Sequence, residues 1–286
     1  MSRLIINADD FGLTPGVNRA IVELHQAGAL TSTTLMARAA ATQDAIRLSQ
    51  SLPLLGVGCH IVLVDGDSAL PPASIPTLVH GSNERFPNSL AQFLVRLLTG
   101  RISSEEIEAE AAAQIRALQS TGLHLTHIDT HKHTHMLPAV LRPVLRAARA
   151  AGIRAVRNPF EPVWAVRATA GASWARAAEV NLLRKLQTTC SRIIAEEGFS
   201  TTDGTIAVVG TGVLNAATMR SLLGQLPEGT WELVAHPGYN DADLSKVRTR
   251  LRASREIEMK ALGEIREFPE IELISYAQLR SEPSFT

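Results

Sequence analysis

Short apolar runs alternate along the chain with stretches whose apolar positions recur every three or four residues. RLIINAD at 3–9 predicts a first strand, and PGVNRAIVELHQAGA at 15–29 a helix with Pro15 near its start and Gly28 near its end. The cycle repeats with TTLMA (33–37) as a strand, ATQDAIRLSQSL as a helix and GVGCHIVLV (56–64) as a third strand. SSEEIEAEAAAQIRALQSTG (103–122) opens with Ser, carries Glu in its first turn and closes on Gly, which predicts a helix. HLTHID is the next strand, LPAVLRPVLRAARAAG a helix, and IRAVRNP (153–159) a strand ending at proline. TIAVVG, a helix at 215–226, WELVAHPG, a helix at about 246–264 and IELISY continue the rhythm. Two segments stand outside it: an excursion at 65–88 rich in Pro, Ser, Gly and Asp, and an alanine- and arginine-rich helical insertion at about 160–200. A long excursion in a compact domain is usually functional or disordered, and this one is expected to rim a binding site.

Strand-then-helix alternation implies a mostly parallel sheet covered by helices, as an open sheet or a closed barrel. The polar residues decide between them. Asp9 and Asp10, His60, Asp129 and His131, Arg157 and His236 fall at or just after the C-terminal ends of five predicted strands. In a closed barrel those ends meet at one mouth, whereas an open sheet would spread them. The dinucleotide fingerprint G-x-G-x-x-G is missing after the first strand. The expected fold is therefore an α/β protein, a distorted TIM-like barrel forming a single domain over residues 1–286.

Composition narrows the function. With 45% hydrophobic residues in 286, the chain can bury a substantial core. Its 28 basic and 28 acidic residues are dispersed and cancel, so nucleic acid is not an expected partner. No apolar stretch approaches the roughly 20 residues that span a bilayer, and MSRLIINADDFG does not read as a secretory signal. Cys59 and Cys190 have no C-x-x-C spacing, and a cytoplasmic setting is expected.

THIDTHKHTHM, 126–136, concentrates four of the nine histidines. In an extended strand His127, Asp129 and His131 share one face. A buried row of His, Asp and His is costly unless each group is hydrogen-bonded or coordinated, and a metal would satisfy it. Not every imidazole need be a ligand: His133 and His135 could shape the pocket or touch substrate, and His127 could orient a ligand. His25, His80 and His124 look incidental.

NADDFG at 7–12, GVGCHIVLVDG at 56–66, THIDTHKHTHM and AHPGY at 235–239, in that order, resemble the YdjC-type carbohydrate deacetylase family, which includes chitooligosaccharide deacetylase and a hopanoid-biosynthesis branch. The VDGDSALPP excursion most resembles the latter. The resemblance implies a distorted β/α barrel, often a homodimer, that uses one divalent metal, magnesium or zinc, to remove N-acetyl groups from sugars. It assigns the metal to Asp10, His60 and His131, the general base to Asp9 and the general acid to His236. Arg157 resembles, more loosely, the arginine that steadies the base in related polysaccharide deacetylases. Lys132 interrupts the family's histidine run, which leaves the roles of His127, Asp129, His133 and His135 between substrate contact and support of the ligands.

The chemistry asks for the same parts. Amide hydrolysis needs a stronger electrophile and a stronger nucleophile, and one Lewis-acidic metal with open positions supplies both. Asp9 would take the water's proton and His236 would protonate the departing amine. Adjacent strand residues face opposite ways, but Gly12 would let the chain turn so that both aspartates reach the mouth. Another metal hydrolase such as a phosphoesterase, or a noncatalytic sugar- or metal-binding protein, would fit less of this pattern. The sequence does not choose the acyl donor: chito-oligosaccharide, a glycosylated lipid and another N-acetylated sugar would all be served by the same centre, and the lipid would require peripheral membrane contact through 160–200.

Overall fold

The computed structural model describes residues 1–79, 85–171 and 173–279. Part of the expected excursion, with His80, lies outside the described residues. Strand β1 (Ser2–Phe11) is central: it pairs in parallel with β2 (Ser32–Leu35) on one side and β6 (Gly229–Ala235) on the other. Outward from β2 come β3 (Gly56–Ile61) and β4 (Ile128–Thr130), and outward from β6 comes β5 (Gly204–Ile206). A short β7 (Glu272–Leu273) joins β1 beside Arg3 and Leu4.

The sheet curls until its ends approach. Ile128 bridges Val156 and Ala155 bridges Ser200, both in parallel, so the segment expected as a strand at 153–159 survives only as two isolated bridges between β4 and the approach to β5. Backbone hydrogen bonds still run on both sides of it, from Ile128 N–H to the Ala155 carbonyl and Arg157 N–H to that of Ile128, and from Val156 N–H to Ser200 and Ser200 N–H to Arg154. Side chains add to them: Asn158 Nδ2 donates to the Thr202 carbonyl, Thr201 Oγ1 to the Val156 carbonyl and Thr205 Oγ1 to the Asn158 carbonyl. The result is the expected TIM-like barrel, distorted at this seam.

The pleat sorts side chains into two sets. On β1, Leu4, Ile6 and Ala8 join the main apolar core beneath the helices, while Ile5 joins a small separate cluster with Ala155, Ile274 and Tyr276. That cluster floors the barrel. Above it Asn7, His127 and Glu232 are fully buried, and above them lie Asp9, His60, Asp129 and Arg157. Gly58 makes room for this stacking, because a Cβ there would lie 2.6 Å from His127 Cε1. The His127 ring instead stacks on Tyr276 with centroids 3.8 Å apart.

Helices α1 (Pro15–Gln26), α2 (Thr42–Ser49), α4 (Ser104–Gln119) and α5 (Pro138–Ala150) lie where the periodicity places them, and α3 (Leu90–Leu98) was not anticipated. Ser103 caps α4 by accepting from Glu106 N–H, as its opening residues suggested. The α4 face also stitches down the excursion. Glu110 accepts from the N–H groups of Ala69 and Leu70, Glu106 from Thr77, and Gln114 exchanges hydrogen bonds with the Val62 backbone. The 160–200 insertion is helical, as α6 (Val163–Ala168), α7 (Trp174–Leu183) and α8 (Gln187–Glu196). Helix α9 (Ala216–Leu223) precedes β6; the helix expected at 246–264 is replaced by α10 (Ala242–Lys246) and α11 (Ala253–Ala261). Among the described residues, no helix is long and apolar enough to cross a membrane.

Candidate active site

The strand ends converge as expected, and the convergence begins with a defect in β1. Its register against β2 shifts between Ala8 and Phe11, and Asp10 adopts φ +67°. That left-handed step, which a short polar side chain tolerates better than most, turns Asp9 and Asp10 toward one mouth. The sequence reading gave this task to Gly12; Gly12 does have φ +91°, but the reorienting residue is Asp10 itself.

Asp10 Oδ1 lies 3.7 Å from His60 Nε2 and 3.6 Å from His131 Nδ1, and those two nitrogens are 3.2 Å apart. One ligand atom from each of the three residues lies within 4.8 Å of the others. His60 Nδ1 is committed to Asp129 Oδ1 at 2.7 Å, which leaves Nε2 facing the other two groups. A carboxylate behind an imidazole is the usual way to fix the orientation of a metal-binding histidine. Burial alone would lower the His60 pKa, yet Asp129, then Asp9 and Asp10, push it up to about 9. Burial, with help from His60 and Lys132, pushes His131 down to about 4 against the pull of Asp10. Two facing nitrogens and a carboxylate in so negative a pocket fit a divalent cation.

Asp9, His60 and Asp129 form a second compact group, but it is already filled by a guanidinium. Arg157 Nη1 and Nη2 donate to the two Asp9 oxygens at 2.9 and 2.7 Å; Nη1 also lies 2.6 Å from Asp129, and Nε donates to Glu232 at 2.8 Å. Glu232 in turn accepts from the Tyr276 hydroxyl at 2.5 Å. Burial pushes the Asp9 carboxyl up, but Arg157, with His60 and His236, outweighs it and holds Asp9 well below the usual carboxylate range. Opposite, His236 Nε2 sits 3.8 Å from Asp9 Oδ2.

The histidine run does not continue as a strand. After Thr130 it folds into a tight turn in which Lys132 and His133 have φ +56° and +52°. His131 therefore follows the strand rather than extending it. His127 is fully buried, with Nε2 3.2 Å from Asn7 Oδ1, and His135 is buried with Nδ1 2.7 Å from Thr130 Oγ1. His135 Nε2 is buried without a hydrogen-bond partner among the described residues. Asp129 is equally buried behind His60, whereas His131, His133 and His236 keep exposed surface. Lys132 reaches to Asp65 at 2.7 Å and ties the turn to the first residue of the excursion.

Several buried residues at the site went unnoticed in the sequence: Thr34, Glu232 and Tyr276 in the barrel, and Arg255 and Glu258 of α11. Arg255 Nη2 donates to Asp10 Oδ2 at 2.6 Å, and Glu258 Oε2 accepts from the His236 N–H at 2.7 Å.

Comparison with known families places this arrangement. The model of the YdjC-like proteins matches residues 3–267. The chain belongs to the YdjC-like family. A relative named carbohydrate deacetylase, from Thermoanaerobacter pseudethanolicus, is 30% identical over 92% of this chain and 91% of its own. A chitooligosaccharide deacetylase from Serratia marcescens is 38% identical over 52% of this chain and 57% of its own. Among solved structures, one described as a putative cellobiose-phosphate cleavage protein from Enterococcus faecalis superposes with a TM-score of 0.75 at 26% identity, covering 98% of this chain and 99% of that one.

Proposed function

We propose that this YdjC-like protein is a metal-dependent carbohydrate deacetylase that hydrolyses the N-acetyl group of an N-acetylated sugar, a chito-oligosaccharide or a glycosylated lipid. The observation that carries the reading is the Asp9 carboxylate, ionised and locked by Arg157, between the Asp10, His60 and His131 donor set and the His236 imidazole. The names of its relatives point the same way.

Asp10, His60 and His131 would hold one divalent cation, magnesium or zinc, which supplies Lewis acidity to the acyl oxygen and the attacking water. Asp9 takes the proton of that water as its oxygen bonds to the acyl carbon. His236 gives a proton to the amide nitrogen as the carbon–nitrogen bond breaks, and acetate and a free amino sugar leave. Arg157 touches neither: it is a positioning residue that keeps both Asp9 oxygens fixed and the carboxylate charged. Asp129 and Thr34, each within 3.1 Å of His60 Nδ1, hold the ligand ring. His133, partly exposed at the mouth, is assigned the substrate contact in this reading.

The reading takes residues 1–286 as one catalytic domain of a cytoplasmic homodimer. For a lipid-linked substrate, α7 offers Trp174 and Leu182, eight residues apart on one helical face and 84% and 62% exposed, as a membrane contact. Failure of the protein to float with liposomes would exclude that branch.

Acetate release from N-acetylglucosamine-containing glycans and glycolipids, with and without chelator, tests the function. Chelator-sensitive release is expected; chelator-insensitive release contradicts the cation's role, and hydrolysis of p-nitrophenyl phosphate alone would indicate a phosphoesterase. Asp9→Asn should lower turnover by about 10²–10⁴-fold with metal content unchanged, while Asp10→Asn should lose metal. Metal loss in Asp9→Asn would mean the two aspartates exchange roles.

A further inference from the structure

We propose that Glu258 of α11 is a positioning residue for the general acid, aligning His236 so that its Nε2 serves the departing nitrogen. The inference rests on the deacetylase reading above and extends it to a helix that contains neither a proposed ligand nor a proposed acid or base.

Glu258 and Arg255 are three residues apart on α11, hence on one face, and both are 1% exposed. Burying two charges on a nine-residue helix is costly unless each meets a partner, and both do so at the site. Glu258 Oε2 accepts from the His236 backbone N–H at 2.7 Å and stands 3.7 Å from ring Nδ1, an ion-pair separation. Its other oxygen accepts from Gly212 N–H at 3.0 Å, so the carboxylate cannot swing away from the ring. With Nδ1 facing Glu258, Nε2 is the nitrogen turned toward Asp9. Arg255 anchors the same turn to β1: Nη2 donates to Asp10 Oδ2 and Nε to the Leu251 carbonyl. The helix is thereby registered on both sides of the reacting centre, with Asp10 Oδ1 left facing His60 and His131.

The groups around His236 are Glu258 on α11, Asp9 and Asp10 on β1, and His133 on the turn after β4. Three of these four are carboxylates. Burial alone would lower the His236 pKa, but Glu258 and the two aspartates raise it above the ordinary histidine value, in keeping with a ring that enters the reaction protonated.

Glu258→Gln keeps the size and the acceptor for the backbone N–H while removing the charge behind the ring. Its kcat on an N-acetylated amino sugar should fall about 10–100-fold with KM and bound metal unchanged. The alkaline limb of its kcat–pH profile should move to lower pH. Hydrolysis of p-nitrophenyl acetate, whose leaving group departs without protonation, should be spared. Equal losses on amide and ester, or an unmoved limb, would overturn the proposal. Should that variant not fold, nitrogen-15 NMR of the His236 ring in the intact protein decides: with Glu258 facing Nδ1, the neutral ring is expected to keep its proton on Nδ1, and a proton on Nε2 instead refutes the assignment. A wild-type protein that released no acetate would defeat the deacetylase reading instead, and the ring tautomer would still report on Glu258.

Discussion

One guanidinium holds the interior of this barrel together. Arg157 is wholly buried, and Asp9, Asp129 and Glu232 all sit against it. Replacing it with methionine would fill the volume but leave three acids facing each other in a low-dielectric interior. Loss of about 3–5 kcal/mol is expected for Arg157→Met, read as a lower urea midpoint, before any effect on turnover. His236 behaves oppositely. Its pKa lies above the ordinary histidine value, so the ring is protonated below that raised value. The stabilisation it draws from its carboxylate neighbours is complete below about pH 6.5 and is lost as pH rises through the folded-state pKa. Turnover should fall over the same rise, and a kcat–pH profile whose alkaline limb sits below pH 6.5 would contradict this. Most of these residues were legible because each lies at the end of an apolar run, where a charged or imidazole side chain has no reason to be unless the strands meet. Arg255 and Glu258 were not legible: SREIEMK reads as an ordinary solvated helix face, and only the fold shows that face turned inward.

The elements show where periodicity stops being informative. Parallel strands at the centre announce themselves through continuous apolar runs. The seam at 153–159 has the same apolar content, yet its ladder is reduced to isolated bridges that side-chain bonds from Asn158, Thr201 and Thr205 supplement, and nothing in local sequence distinguishes the two. The turn at His131–Met136 defeats alternation outright, because two consecutive left-handed residues follow a strand of only three. Helix α3 was missed because composition marked its neighbourhood as loop. The excursion itself is docked rather than loose over the described part, and Glu110 is its main tether: the buried carboxylate accepts from two successive backbone N–H groups. Glu110→Ala should cost about 1–3 kcal/mol and open residues 65–79 to limited proteolysis while α4 persists by circular dichroism. Unchanged protection would show that the segment holds without it.

At the scale of the whole molecule, the closed mouth was the decisive expectation, since it alone explains why five strands carry polar residues at the same end. The barrel is layered from an apolar floor through the hydrogen-bonded tier of Asn7, His127 and Glu232 to the charged groups beneath the mouth, and the layers draw on segments far apart in the chain. That arrangement bears on how the protein is made. β1, which carries both aspartates, leaves the ribosome ahead of its neighbour β6 and the Tyr276 beneath it, which emerge more than 220 residues later. Until then the nascent strand has only β2 to pair with and one raw edge open to other chains. Biogenesis therefore imposes a waiting period on the very residues the chemistry depends on, and holdase protection during translation should matter more to yield than any rim substitution.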